Sequence, residues 1–214
     1  MSMNRHIDTS SRDKILRAAI KVIARKGRHG TRMDEVAREA GINKAMVYYY
    51  FSNKDKLFFE ILTTIFTEMY RDSLHRISED ISQGKNHAEI ISNSIRYSFE
   101  SYNKNPHYTR IMVDAISSGM DEIPKALEAV YNSSQLSPAS YIIKTIEDGI
   151  DKKIFRDVDP VNTMISITGM TFIYFLSRNI IKFFGMKIED EDEFLDNRIK
   201  SVIDLIMNGM LMRH

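Results

Sequence analysis

The sequence predicts an all-α protein: a small three-helix module at the N-terminus, then a larger helical bundle, about nine or ten helices in total. Three observations carry this. Apolar residues recur at three- and four-residue spacing along nearly the whole chain. The 214 residues include only 9 Gly and 4 Pro, too few for the turns of a β protein. Charged residues make up 28% and hydrophobic ones 43%, the balance of amphipathic helices around a sizeable core.

Each element follows from local signals. Ser11 is placed to cap a first helix whose stripe is Ile15, Leu16, Ala19, Ile20 and Ile23. Gly27 and Gly30 end it. Thr31 is placed to cap a second helix, with Asp34 and Glu35 in its first turn; Val36, Ala37 and Ala40 face inward, and Gly41 stops it after roughly nine residues. Asn43 caps a third, in which Met46 or Val47, with Tyr50 or Phe51, turns toward the first two helices. Ser52-Asn53 breaks the chain. A long fourth helix starts near Lys54, with the stripe Leu57, Phe58, Ile61, Leu62, Ile65, Phe66 and Met69. That stripe outruns what three short helices can cover, so the helix enters a second domain. The expected division is residues 1–54 and 55–214.

Further helices are expected near 87–103, 106–118, 123–133 and 138–149. Asn105-Pro106 and Ser137-Pro138 pair a cap with a proline at the first helical position. Gly149 ends the last of these, 150–159 reads as a loop, and Asp159-Pro160 opens another helix. Between Val161 and Phe184 apolar residues lie almost all round, including Ile165, Met170, Phe172, Ile173, Phe175 and Leu176, so this helix must be covered on every side. Asn162, Ser166, Arg178 and Lys182 interrupt it, which argues for a buried helix and against a membrane span. The last helix carries Leu195, Ile199, Val202, Ile206 and Met210 at near-heptad spacing. Phe175 and these five are the expected subunit interface, the alternative being a core within one chain.

Charge is uneven. Residues 1–54 hold 12 Lys/Arg against 5 Asp/Glu, and the remainder 18 against 24. A basic module joined to an acidic one points the first at a polyanion. The N-terminus has no apolar core of a signal peptide, and Cys is absent, so the expectation is a cytoplasmic protein without disulfides or thiolate metal sites. The six His are not spaced as zinc ligands, and no phosphate loop, nucleophile elbow or metalloprotease motif occurs. Acidic pairs such as Asp121-Glu122 and Glu189-Asp190 fit loop ends better than a catalytic dyad. No enzyme activity, metal or cofactor is therefore expected.

A short helix, a glycine turn and a second short helix outline a helix-turn-helix. The first helix braces the second, whose N-terminal half fits the major groove of DNA, about 12 Å wide. Over residues 12–57 the match is more specific. Arg12, Ile15-Leu16, Ala18-Ala19, Gly27, Thr31, Val36-Ala37, Ala40-Gly41-Ile42-Asn43, Val47-Tyr48, Phe51, Lys54 and Leu57 resemble the DNA-binding region of the TetR family of bacterial repressors. The remaining residues are similar only in general shape. Asn43 stands where the family often has Ser or Thr, Ala45 where Gly is frequent, and Met46 where a small polar residue is common.

The resemblance implies residue roles. Thr31 would cap the second helix and donate its hydroxyl or its backbone N–H to a phosphate, and Arg32 and Met33, which begin that helix, would reach the DNA backbone too. Asn43 would cap the recognition helix at the phosphates. Lys44 would read a base, most simply a guanine edge, and Ala45 would allow close approach to the groove. Tyr48, Tyr49 and Lys54 would contact phosphate or sugar. It implies too a homodimer on a double-stranded, pseudo-palindromic operator, released by a small apolar or amphipathic effector. Phe66, Met69, Phe99, Tyr102, Met112, Tyr131 and Phe172 are the pocket candidates, being long or aromatic side chains on helices placed to surround a ligand. The alternative is a regulator whose C-terminal domain only dimerises or binds protein. A closed apolar cavity of several hundred Å3 would favour the effector, and a filled domain the alternative.

Overall fold

The computed structural model describes residues 3–119, 121–134, 137–183 and 190–212. Phe184, Glu189 and His214 lie outside them. Ten helices occur among the described residues: α1 (Met3–Gly30), α2 (Met33–Ala40), α3 (Lys44–Tyr50), α4 (Lys54–Ser82), α5 (His87–Lys104), α6 (Pro106–Ser117), α7 (Glu122–Ser134), α8 (Pro138–Asp151), α9 (Pro160–Phe183) and α10 (Glu191–Met210). The fold is all-α, as expected.

The chain packs as two compact units. The first runs to Glu68 and takes in the segment from Asn105 through α7; the second holds Met69–Lys104 and the chain from α8 onward. Packing thus divides within α4. In the first unit, Ile15, Leu16, Ala19, Val22 and Ile23 of α1 are buried with Val36 of α2 and Val47 of α3, and with Leu57, Phe58, Ile61 and Ile65 of α4. α1 also packs along α6. Where α1 ends, Gly27 adopts φ +72°. A Cβ there would lie 3.1 Å from the Asp114 carboxylate, which accepts the Arg28 N–H at 2.8 Å. The Gly27 geometry joins the end of α1 to α6.

In the second unit, Ile77, Ile91, Ile95, Phe99, Ile146, Phe155, Tyr174 and Phe175 form one core with Leu195, Ile199, Val202, Ile206 and Met210. This corrects the expected subunit interface. Phe175 and all five α10 residues are buried within their own chain, which leaves little of their surface for a partner. The apolar face of α9 that does remain exposed carries Val161, Ile165, Ile173, Leu176 and Ile180, each 42–56% exposed. By helical spacing these lie opposite the buried Ile167, Thr171, Tyr174 and Phe175. α9 is therefore covered on one side, not on all.

Other local expectations are corrected. Ser11 lies inside α1 and caps nothing, since no Pro or Gly precedes it to stop the helix. Gly149 lies within α8, and not at its end. Its missing side chain makes room for Phe155: a Cβ at 149 would overlap that ring. Asn105 and Ser137 do sit before a first-turn proline, but neither side chain closes its cap.

Candidate nucleic-acid interface

α2, the turn and α3 are set by backbone chemistry. Gly41 takes φ +65°, a left-handed conformation that glycine adopts without strain. The Ile42 N–H then returns to the Ala37 carbonyl at 3.0 Å, and that of Gly41 to Arg38 at 3.2 Å, which satisfies the end of α2. Asn43 caps α3, its side-chain oxygen accepting the Ala45 N–H at 2.9 Å. Val47 and Phe51 are buried and anchor α3, which settles the choice between Val47 and Met46 and between Phe51 and Tyr50.

The outward face of α3 then holds Lys44, Ala45, Tyr48 and Tyr49, all exposed. Tyr49 is 76% exposed, unusual for a large ring on a folded surface, and packs edge-on to Tyr50 with centroids 5.3 Å apart. Met46 joins this face at 39% exposure. Arg32 is exposed ahead of α2. Lys54 is half-buried at the start of α4, its ammonium donating to the His29 carbonyl at 3.4 Å.

One expected side-chain role is not where the sequence put it, and another is limited to the main chain. Thr31 is only 2% exposed, and its hydroxyl donates to the Gly27 carbonyl at 2.8 Å. It braces the end of α1, and its side chain is closed off from any phosphate. The N-cap position of α2 belongs to Arg32, whose N–H donates to Glu35 at 3.4 Å. The Met33 side chain is buried, so this residue can meet DNA only through its main chain.

Ion pairs link α2 to α1 and to α3. Each acid of α2 has a cation on a neighbouring helix: Glu35 pairs with Lys26, Glu39 with Arg25 at 2.8 Å, and Asp34 with Lys44 at 2.8 Å. The Lys26 hydrogen bond is the main cause holding Glu35 below the usual carboxylate range. The Asp34 hydrogen bond likewise pushes the Lys44 ammonium above the usual lysine value, so Lys44 is charged at any physiological pH.

The pocket candidates divide between the two units. Phe66 is buried, Met112 half-buried and Tyr131 about half exposed in the first unit. In the second, Met69 is half-buried, while Phe99, Tyr102 and Phe172 belong to one aromatic cluster. Phe99 and Tyr102 both pack on Phe175, at 5.9 and 5.6 Å, and Tyr102 lies 5.8 Å from Phe172. A cleft of about 120 Å3 opens nearby between α5, α8 and α9, lined by Ile91, Ser94, Ser98, Ile142, Met164 and Thr168 among others. None of the seven candidates lines it. Its hydroxyls alternate with aliphatic side chains, a pattern that hydrophobic periodicity passes over. Among the described residues no cluster of three His, Asp or Glu is arranged to hold a metal, and no helix is long and apolar enough to cross a membrane.

Comparison with known proteins decides the family. Residues 15–61 match the bacterial regulatory proteins of the tetR family, and residues 80–214 match the tetracyclin repressor-like C-terminal domain. The chain belongs to the TetR family. It is a DNA-binding transcriptional regulator. Among its relatives, the HTH-type transcriptional repressor NicS of Pseudomonas putida is 24% identical over 206 residues, 94% of this chain and 92% of that one. The crystal structure of FadR from Bacillus subtilis with stearoyl-CoA has a TM-score of 0.69 at 19% identity, covering 92% of this chain and 97% of that one. AibR, solved with isovaleryl coenzyme A and operator DNA, has a TM-score of 0.66 at 16% identity, with coverage of 89% and 95%. At these identities the two structures speak for the TetR fold alone.

Proposed function

We propose that this TetR regulator is a homodimeric repressor that grips a pseudo-palindromic operator through two α3 helices and lets go when a small apolar or amphipathic effector binds. The observation that carries it is the division of α3: Val47 and the following Phe51 fix the helix, while Lys44, Ala45, Tyr48 and Tyr49 are left outside. Lys44 reads a guanine edge, for which an ammonium is a suitable donor. Ala45 lets the helix approach the groove. Tyr48, Tyr49, Lys54, Arg32 and the Asn43 cap meet sugar and phosphate, and Met33 contributes its backbone N–H. Thr31 acts only as a brace. In this division of labour residues 1–54 bind DNA and residues 55–214 dimerise and take the effector. A DNA target makes the cytoplasm its place of work.

Two-fold symmetry requires the recognition helices about one DNA turn apart, ~34–36 Å. The exposed apolar face of α9 is the surface for the second copy. Phe99, Tyr102 and Phe172 with Met69, and Phe66, Met112 and Tyr131, remain the effector-lining candidates, joined by the cleft between α5, α8 and α9. The acyl-CoA esters bound by FadR and AibR make acyl thioesters the first class to screen. One observation favours a regulator without an effector: the aromatic candidates of the second unit pack on one another, and the cleft beside them is well below the several hundred Å3 of a drug-sized pocket.

The test begins with selection of bound fragments from random duplex DNA, followed by a screen for compounds that release them. An inverted repeat should emerge. Lys44→Ala should cost about 10- to 100-fold in preference for it while keeping salt-sensitive binding to any duplex. A protein that binds no duplex at low ionic strength overturns the reading; a dimer that binds its repeat but is released by no acyl thioester or other compound leaves the effector-free alternative standing.

A further inference from the structure

Asp34 puts a carboxylate in the middle of a surface meant for a polyanion. It is the second residue of α2, and its side chain is 55% exposed. Its neighbour Glu35 also carries the cap interaction with Arg32, so the start of α2 has an acid of its own for the helix dipole. What Asp34 engages is Lys44: the ammonium lies 2.8 Å from Oδ1 and 3.0 Å from Oδ2. The same ammonium stands 5.8 Å from the centre of the Tyr48 ring. Lys44 is thus held between a carboxylate of α2 and a ring of α3, at the rim of an open groove floored by Ala37, Gly41 and Ile42.

A lysine on a flexible stem near DNA has phosphates within reach at every register, and such contacts carry no sequence information. An ammonium tied to a carboxylate behaves differently. The carboxylate repels phosphates, so the pair is a poor phosphate binder. The ammonium has three donors and can keep Asp34 while offering the others to a base edge. We propose that Asp34 is a specificity-determining positioning residue, which holds the Lys44 ammonium toward base edges and off the phosphates, giving up general affinity for sequence discrimination. This rests on Lys44 reading a base, as set out above.

The experiment compares two probes, the duplex selected by the wild-type protein and a scrambled duplex of the same length and composition, across a range of salt concentrations. Asp34→Asn should tighten binding to the scrambled duplex and lower the preference for the selected one about tenfold. The salt dependence on the scrambled duplex should steepen by about one phosphate contact, as the freed lysine neutralises it. Asp34→Glu, with the carboxylate restored, should recover most of the preference at an unchanged melting temperature; a merely structural role would tie the lost preference to a lowered melting temperature instead. Lys44→Ala separates the two ideas. If Lys44→Ala lowers the preference and Asp34→Asn does not, the positioning role of Asp34 is overturned and the base-reading role of Lys44 stands. If Lys44→Ala leaves the preference untouched, both fall together.

Discussion

Tyr102 is a phenol whose ring lies among Phe172 and Phe175 and whose ionisation is suppressed by burial, its pKa pushed up to about 12. In an unfolded chain the same group ionises near its ordinary value of 10.0. The folded state therefore holds the proton where the unfolded state releases it. Stability from this group is complete below pH 10 and is lost as pH rises toward 12, at up to about 1.4 kcal/mol per pH unit. Tyr102→Phe keeps the ring and removes the titration. In urea denaturation the variant should match the parent at pH 7 and lose less stability between pH 10 and 12; equal losses would mean that the hydroxyl already ionises in the fold. Single residues were legible in the sequence where their role is local. Gly41 and Asn43 act on atoms within a few residues of themselves, so spacing identified both. The place of the Thr31 hydroxyl was not legible because burial is a tertiary fact: a threonine before a helix looks like a cap whether or not the end of α1 claims its hydroxyl. Gly149 was misjudged for the same reason, since Phe155 comes from the loop after α8.

The end of α1 shows how helices are joined. The Arg28 guanidinium donates to Glu122 at 2.7 Å and to Asp55 at 3.2 Å, and lies 4.7 Å above the Phe58 ring. Its backbone N–H goes to Asp114, and the side chain is 12% exposed. One residue thus ties α1 to α4, α6 and α7, all within the first unit. Burial would lower the Arg28 pKa, but the Glu122 and Asp55 hydrogen bonds outweigh it and raise it. Arg28→Ala would strand Glu122, itself mostly buried, without its partner. Because the site is not fully closed, the expected loss is about 1–3 kcal/mol by urea denaturation, below the range for deeply buried pairs. Arg28→Lys should restore only part of it, as a single ammonium cannot reproduce the fork; full restoration would show that charge alone suffices. Helix positions were legible because apolar spacing and prolines mark them. What covers each apolar face was not. α9 and α10 both carry long apolar stripes, and periodicity says that a stripe needs a cover without saying whether its own chain supplies it.

That ambiguity has a consequence for assembly. The α10 stripe is spent on the core of its own unit, whereas α9 leaves Val161, Ile165, Ile173, Leu176 and Ile180 outside, with Gly169 among them and open space where its side chain would be. Several aliphatic side chains in one exposed row exceed the scattered apolar residues normal on a surface, and a smooth point at Gly169 lets another helix come close. If a second copy covers this row, an acid placed there should separate the subunits without touching the fold. If α10 were the interface instead, its substitution would do so. Ile173→Asp should therefore give a folded monomer by sedimentation, with a far-UV spectrum like that of the parent. Its operator affinity should fall steeply, because two half-sites are no longer bound by one rigid pair of recognition helices. Val202→Ala, at a buried α10 position, should remain dimeric while losing about 1–3 kcal/mol of stability through the cavity it leaves. A dimer that survives Ile173→Asp but falls apart with Val202→Ala at unchanged stability would return the interface to α10.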